Sequence, residues 1–342
     1  MQIIASIFKK PLDLEKVKEM IIAGADVLRV KFAHAEWGEI IEVIKKIKIL
    51  IDEMKTGTKI MVDMPEQKIR LGHLAFEKNK VGSGEQFIIR PSKSSYNIDD
   101  YIPVNLHRLD LYFKPGDKVS LGDGETAFVV KEVIEQDKVL VEFLNDGEVD
   151  EYRGLMSPNL SDCMDHCSIA VSSVALFHDV RPDYVALSFV NSADYVNKIK
   201  EEIKQIYKGE WSPKILAKIE SPDGLKNLAE IMDASDGIVI ARGDLGLTID
   251  YTEIILEQKR ACKMGLEKNK PVIIATQILT SCIDNAIPYR CELADLTNLI
   301  LDGASGIMLS QETSMNEKPG KVIEIAKKII EKVENYKKFK GL

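Results

Sequence analysis

No run of apolar residues in this chain reaches the eighteen or so needed to span a bilayer. The first ten residues, M-Q-I-I-A-S-I-F-K-K, lack both a basic n-region and a long apolar h-region, so no signal peptide is expected. An excess of positive charge is missing as well. Lys and Arg number 46 against 54 Asp and Glu, a formal net charge of −8. A surface that holds a nucleic-acid backbone needs clustered cations, so neither nucleic acid nor a membrane is expected as the main partner. Cysteine is scarce: five residues, odd in number and irregular in spacing. That usage suits reduced thiols in a cytoplasmic protein better than a disulfide framework. Cys163, His166 and Cys167 lie close together. Their spacing fits no common zinc pattern and no second pair follows, so a helical segment is the preferred reading and a metal the alternative.

What is present is an alternation of short apolar strands with amphipathic helices, the pattern of a parallel sheet. The chain has 342 residues, 45% hydrophobic and 29% charged, enough for one large domain or two smaller ones. Eight strands are expected, at residues 3–7, 27–32, 60–63, 184–188, 215–219, 237–241, 272–275 and 306–309, with helices over 39–54, 195–207, 254–267 and 320–338 among those between them. Eight such repeats predict an α/β fold, a (β/α)8 TIM barrel. Residues 71–158 break the rhythm. They lack helical periodicity and carry β-rich stretches at 86–90, 118–121, 126–133 and 138–143. Turn signals separate these: Pro115-Gly116, Gly122-Asp123-Gly124 and Asn145-Asp146-Gly147. The expected organisation is therefore barrel over 1–70, an inserted small all-β domain over 71–158, and barrel again over 159–342.

The chemistry concentrates late in the chain. K-I-L-A-K-I-E (Lys214 to Glu220), D-G-I-V-I-A-R-G-D-L-G (Asp236 to Gly246), P-V-I-I-A-T-Q-I-L (Pro271 to Leu279) and D-G-A-S-G-I-M-L-S-Q-E-T (Asp302 to Thr313) are each an apolar strand ending in polar residues. In a β/α barrel the strand C-termini open onto one face. Lys218, Glu220, Arg242, Asp244, Thr276 and Ser310 are thus expected to converge. Lys218 and Glu220 stand at i and i+2, so both side chains point the same way from one strand.

These words, in this order and spacing, resemble the pyruvate kinase family closely from Pro182 to about Glu334. A-G-A-D-V-L-R-V-K-F-A-H (Ala23 to His34) is similar to the family's second-strand motif. The resemblance implies that the inserted β domain is a lid. It implies Mg²⁺ or Mn²⁺ held by Glu220 and Asp244, carboxylates suited to a hard cation; in isolation each would be a solvated strand-end acid. It gives Lys218 the transferring phosphoryl group and the enolate, and Thr276 and Ser310 a part in protonating that enolate. Thr276 taken alone could merely be a helix N-cap. The substrate carboxylate is assigned to N–H groups near Gly243 and Asp244, with Arg242 and Ser188 alongside; without the resemblance, Arg242–Gly246 is a tight βα turn. Arg29, Arg70, His34 and Arg153 match residues on the nucleotide and phosphate side, although His34 could simply pack beside Trp37.

One set departs from the family. Where members commonly hold K⁺ between Asn, Ser, Asp and Thr, this chain has Lys31, Ala33, Asp63 and Met64. Lys31, Asp63 and Lys68 are then a region where lysine replaces the ion, and no K⁺ requirement is expected. The lysine of Lys68 could instead sit in water at the hinge of the inserted domain. Members usually continue with a further α/β domain that often holds an effector site; here no such stretch follows the last helix, so hyperbolic saturation is expected. The leading expectation is a kinase-like phosphotransferase converting phosphoenolpyruvate and ADP to pyruvate and ATP, assembling, where it does, through barrel faces. Alternatives are a relative using the same Mg²⁺–enolate site for another acceptor or for lyase or aldol chemistry, and a silent phosphoenolpyruvate-binding protein.

Overall fold

A computed structural model describes residues 1–7, 12–31, 37–65, 68–74, 79–95, 97–122, 124–157 and 166–340. Contacts divide the chain into two compact units: residues 1–66, 166–243 and 252–342, and residues 67–165 with 244–251. The second unit thus takes in Asp244–Tyr251, a segment the sequence reading left with the barrel.

The larger unit is a closed parallel barrel of eight strands. They are β1 (Gln2–Ile7), β2 (Val27–Lys31), β3 (Lys59–Asp63), β4 (Tyr184–Leu187), β5 (Lys214–Ile219), β6 (Gly237–Ala241), β7 (Val272–Ala275) and β8 (Gly306–Leu309). Each expected strand is present within a residue of its expected bounds. The helices Trp37–Met54, Ala193–Tyr207, Ile254–Lys268 and Pro319–Lys340 likewise stand where periodicity put them. The first barrel helix, Leu14–Ala23, shows the local rules plainly. Asp13 caps its first turn through Oδ1, and Gly24 at φ +103° ends it.

Strand alternation sets the barrel's interior in layers. One layer is apolar: Ile4, Val27, Met61, Ala186, Leu216, Val239, Ile273 and Met308. Two residues on toward the strand C-termini stand Ser6, Arg29, Asp63, Ser188, Lys218, Ala241, Ala275 and Ser310. The interior therefore changes from oily to polar in one step along every strand but two, and on β2, β3 and β5 the polar residue is charged. At the opposite end the residue before each even strand accepts an N–H from the odd strand preceding it. Asp26 takes that of Ile3 (2.8 Å), Asp183 that of Ile60 (2.9 Å), Asp236 that of Ile215 (2.8 Å) and Ser305 that of Val272 (3.3 Å). This fourfold repeat ties neighbouring strands at the face remote from the chemistry.

The smaller unit is built on a seven-stranded, mostly antiparallel sheet. Its strands Lys118–Leu121, Thr126–Glu135, Lys138–Phe143 and Gln86–Pro91 coincide with the β-rich stretches of the sequence. Phe113, Phe128, Phe143, Val119, Val141 and Ile89 form its own core.

Gly265 sets the seating of the helix Ile254–Lys268 on the barrel. A Cβ there would lie 2.4 Å from Val272 Cγ2 and 2.8 Å from the Lys270 carbonyl oxygen. Gly265→Ala would favour an isolated helix. In this protein it is expected to destabilise by about 1–3 kcal/mol, because the backbone must move off β7. Chemical denaturation of the variant against wild type measures this; a stabilised variant would contradict the packing.

Candidate active site

Asp63 is the centre of the charged layer. It ends β3, is wholly buried, and holds two cations. Arg29 donates to Oδ2 through Nε (2.8 Å) and through Nη2. Lys218 Nζ lies 3.1 Å from Oδ1. Around this core, Arg29 Nη1 donates to Ser6 Oγ (2.8 Å) and reaches Ser310 Oγ at 3.5 Å. Lys218 also donates to Ser188 Oγ (3.1 Å) and stands 3.1 Å from Glu220 Oε1. Glu220, itself fully buried, accepts the backbone N–H of Phe189 on Oε2 (2.8 Å). Burial pushes the Asp63 carboxyl up, and the charges of Lys218, Arg29 and Lys31 with the Arg29 hydrogen bonds outweigh it. The net position is below the usual carboxylate range. Lys31 contributes because it is the register partner of Asp63 across β2 and β3.

Thr276, just beyond β7, does not cap a helix. It sits at φ +70°, followed by Gln277 at +55° and Leu279 at +58°. Left-handed backbone at a β-branched residue costs about 1–3 kcal/mol and persists only when its surroundings hold it. Here Gly243 N–H donates to Thr276 Oγ1 (2.8 Å). Arg242 donates to the Thr276 carbonyl (3.0 Å from Nη2) and to the Gln277 carbonyl (2.9 Å). Glu312, buried, accepts from Ile278 N–H (2.9 Å), Thr280 Oγ1 (3.1 Å) and Ser310 N–H (2.7 Å).

Arg242, expected beside the substrate, has a buried guanidinium that donates to two carbonyls and pairs with Asp295. The Gly243 N–H, expected to face a substrate carboxylate, is taken by Thr276. Residues Arg242–Leu245 form a short helix, where the reading without the resemblance was a tight βα turn. Lys68 is not in water: its Nζ lies 2.7 Å from Asp244 Oδ1, with side chains 13% and 22% exposed. Arg153 pairs with Asp150 (2.9 Å) and Glu125 (3.3 Å), and Arg70 donates to the Tyr152 carbonyl (3.0 Å), all within the smaller unit. His34 and Ala33 lie outside the described residues, as does Cys163. His166 opens a helix, His166–Val174, and its ring stacks on Phe189 at 4.6 Å. Burial, then the charge of Asp302, pushes the Cys262 thiol up to about 12, so it stays protonated and unreactive.

Reading the sequence missed Ser6, Glu312 and Asp295. Glu312 lies inside the quoted S-Q-E-T word, and its carboxylate before a threonine was a usable signal. Asp295 sits mid-helix in Arg290–Leu301, and nothing local marks it.

The donor set can be tested against a divalent metal. Among the described residues no group of three or more His, Cys, Asp or Glu side chains is disposed to hold a metal ion. Glu220 and Asp244 offer hard carboxylate oxygens, and each already has a lysine ammonium beside it. Carboxylate oxygens are the ligands Mg²⁺ takes, one or two at a time, and the ammonium on each would have to give way to the ion.

Fold and strand-end chemistry together define a β/α-barrel enzyme whose active end carries fixed cations among buried carboxylates. Comparison narrows this. A family model described as pyruvate kinase, barrel domain, matches residues 1–323. The chain is 34% identical to the pyruvate kinase of Thermotoga maritima over 350 residues, covering 99% of this chain and 72% of that protein. It is 32% identical to that of Thermococcus litoralis over 343 residues (99% and 71%). It is 33% identical to that of Mycobacterium tuberculosis over 321 residues (93% and 66%). The chain belongs to the pyruvate kinase family.

Removing the Asp63 charge leaves two buried cations facing each other. Asp63→Asn is expected to cost about 3–5 kcal/mol of stability, read by urea denaturation, and to abolish activity. A folded-state carboxyl below its unfolded value stabilises above the ordinary carboxylate pKa, and this is lost as pH falls through the lowered value. Wild-type stability from this pair should therefore be flat from neutral to mildly acidic pH. A variant matching wild type in stability would contradict the arrangement.

Proposed function

We propose that this protein is a pyruvate kinase, moving the phosphoryl group between phosphoenolpyruvate and ADP through a pyruvate enolate. The observation that carries the reading is the buried Lys218 ammonium among Asp63, Ser188 and Glu220 at a barrel strand end. A cation fixed there is expensive unless an anionic substrate joins it. In the forward direction the phosphorus–oxygen bond of phosphoenolpyruvate breaks and one to an ADP β-phosphate oxygen forms. Lys218 neutralises the oxygens that gain charge, and Arg29, held in place by Asp63 and Ser6, faces the transferred group. Glu220 and Asp244 would hold the divalent ion, which supplies charge neutralisation on phosphate and enolate oxygens when bound.

The enolate then gains a proton at its methylene carbon and its carbonyl re-forms. The Thr276 oxygen already accepts the Gly243 N–H, which leaves its own hydrogen to donate. As that hydrogen passes to carbon, a proton drawn from bulk solvent replaces it, the one proton the reaction consumes, so the side chain ends neutral. Substrates are small molecules, and a cytoplasmic setting accords with the few, irregularly spaced cysteines of the sequence; none of the described helices is long and apolar enough to cross a membrane.

The cation side differs from the common family pattern. Lys31 bears on Asp63 from the adjacent strand, and Met64 presents a buried thioether rather than an oxygen. An ammonium here and a bound K⁺ would repel strongly in a poorly screened interior. Lys68, by contrast, acts on Asp244.

Turnover of phosphoenolpyruvate with ADP and Mg²⁺ tests the reading directly; binding without turnover would leave only a sensor. Lys218→Met is expected to lower kcat by about two or more orders of magnitude while KM changes less, because its charge acts chiefly in the transition state. A pure KM effect would reduce Lys218 to a substrate anchor. Rates in Na⁺, K⁺ and tetramethylammonium salts at equal ionic strength should agree, and strong activation by K⁺ alone would refute replacement of the ion by lysine.

A further inference from the structure

The strained segment after β7 is held from the helix Arg290–Leu301. Asp295, on the helix Arg290–Leu301, meets the Arg242 guanidinium with both carboxylate oxygens, Oδ1 2.9 Å from Nη1 and Oδ2 2.9 Å from Nη2. The same guanidinium reaches the Thr276 carbonyl from Nη2 (3.0 Å) and Nε (3.3 Å), and the Gln277 carbonyl from Nη2 (2.9 Å). Gln258 Oε1, 3.4 Å from Nη1, closes the ring of acceptors. The guanidinium is thus directed at two backbone carbonyls and two side chains of the barrel unit. Without the paired carboxylate, a buried arginine would have to turn toward other acceptors or toward water. The Thr276 and Gln277 carbonyls would then lose the donors that keep their peptides in left-handed backbone at φ +70° and +55°.

We propose that Asp295 is a positioning residue for the reaction, acting through Arg242 to hold Thr276 where its hydroxyl, accepting from Gly243 N–H, presents its hydrogen to the substrate. The chain of contacts runs from a barrel helix, through a strand-end arginine, to the group assigned to the enolate. It gives Arg242 a task other than binding substrate, and it explains why a mid-helix aspartate matters to chemistry it does not touch. The role rests on the proposed pyruvate kinase activity and on Thr276 acting in protonation.

The test separates that role from a merely structural ion pair. Wild type, Asp295→Ala, Asp295→Glu, Thr276→Val and the Asp295→Ala/Thr276→Val double variant are compared, with folding checked by circular dichroism and assays run well below each melting temperature. Two readouts are followed: kcat and KM for phosphoenolpyruvate, and exchange of pyruvate methyl hydrogens with deuterated solvent, which reports enolate protonation alone. Asp295→Ala is expected to slow methyl exchange and kcat together by about 10- to 100-fold, the scale of a misplacement near one ångström, with KM within about twofold. Asp295→Glu should recover part of the loss. In the Thr276→Val background, Asp295→Ala should add less than about twofold, because the path it serves is already cut. Asp295→Ala with wild-type kcat and exchange, a change confined to melting temperature, or losses that multiply in the double variant would each overturn the role. A wild-type protein that turns over no phosphoenolpyruvate would overturn the proposed function, and with it this inference.

Discussion

The active end of this barrel depends on one buried carboxylate. Asp63 has no access to solvent, and Arg29 and Lys218 close on it from strands β2 and β5. Either cation alone in that interior would be costly to keep charged. Together with Asp63 they form a set with a surplus of positive charge, which Lys31 increases from the neighbouring strand. Glu220 offsets part of that surplus through Lys218. Such a set is stable enough to fold, yet remains electrostatically incomplete in the direction of an anion. This is the condition under which binding a phosphorylated substrate is favourable without reorganising the protein.

A second constraint is the backbone beyond β7. Three residues without the freedom of glycine adopt left-handed conformations within four positions. Two buried charged side chains hold them: Arg242 through carbonyl oxygens, and Glu312 through an N–H and a hydroxyl. Glu312 also fixes the N–H of Ser310, so the ends of β7 and β8 share one anchor. Strain held this firmly keeps the small Thr276 hydroxyl in one place, the condition the proposed proton transfer requires. The opposite face of the barrel shows the complementary arrangement. There Asp26, Asp183, Asp236 and Ser305 tie strands in pairs and serve stability alone.

Much of the barrel was legible because its signals are local. Strands such as Ile215–Ile219 and Ile273–Ala275 are short apolar runs, and the helices between them repeat at helical spacing. The i, i+2 relation placed Lys218 and Glu220 on one side of β5, and they meet at 3.1 Å. Where the Arg242 guanidinium turns was not legible in the sequence, for a physical reason. At a strand end a charged side chain can turn toward the pocket or back toward a neighbouring loop, and the choice depends on which acceptors that loop supplies. Those acceptors, the Thr276 and Gln277 carbonyls and Asp295, lie far along the chain. Lys68 and Asp244 are a similar case: a contact across 176 positions leaves no mark in either segment.

The amino-acid sequence by itself determined the alternation of strand and helix, the change from apolar to polar near the end of most strands, and the identity of the groups available for chemistry. Those follow from period, composition and short-range backbone preference. Tertiary structure decided the pairings: that Asp63 serves Arg29 and Lys218 together, that Thr276 takes the Gly243 N–H, and that Arg242 answers to Asp295. Each is a choice among several acceptors of similar strength, made by distances that exist only once eight strands have closed. The energy of such a pairing varies with burial and separation, and neither can be read along a chain.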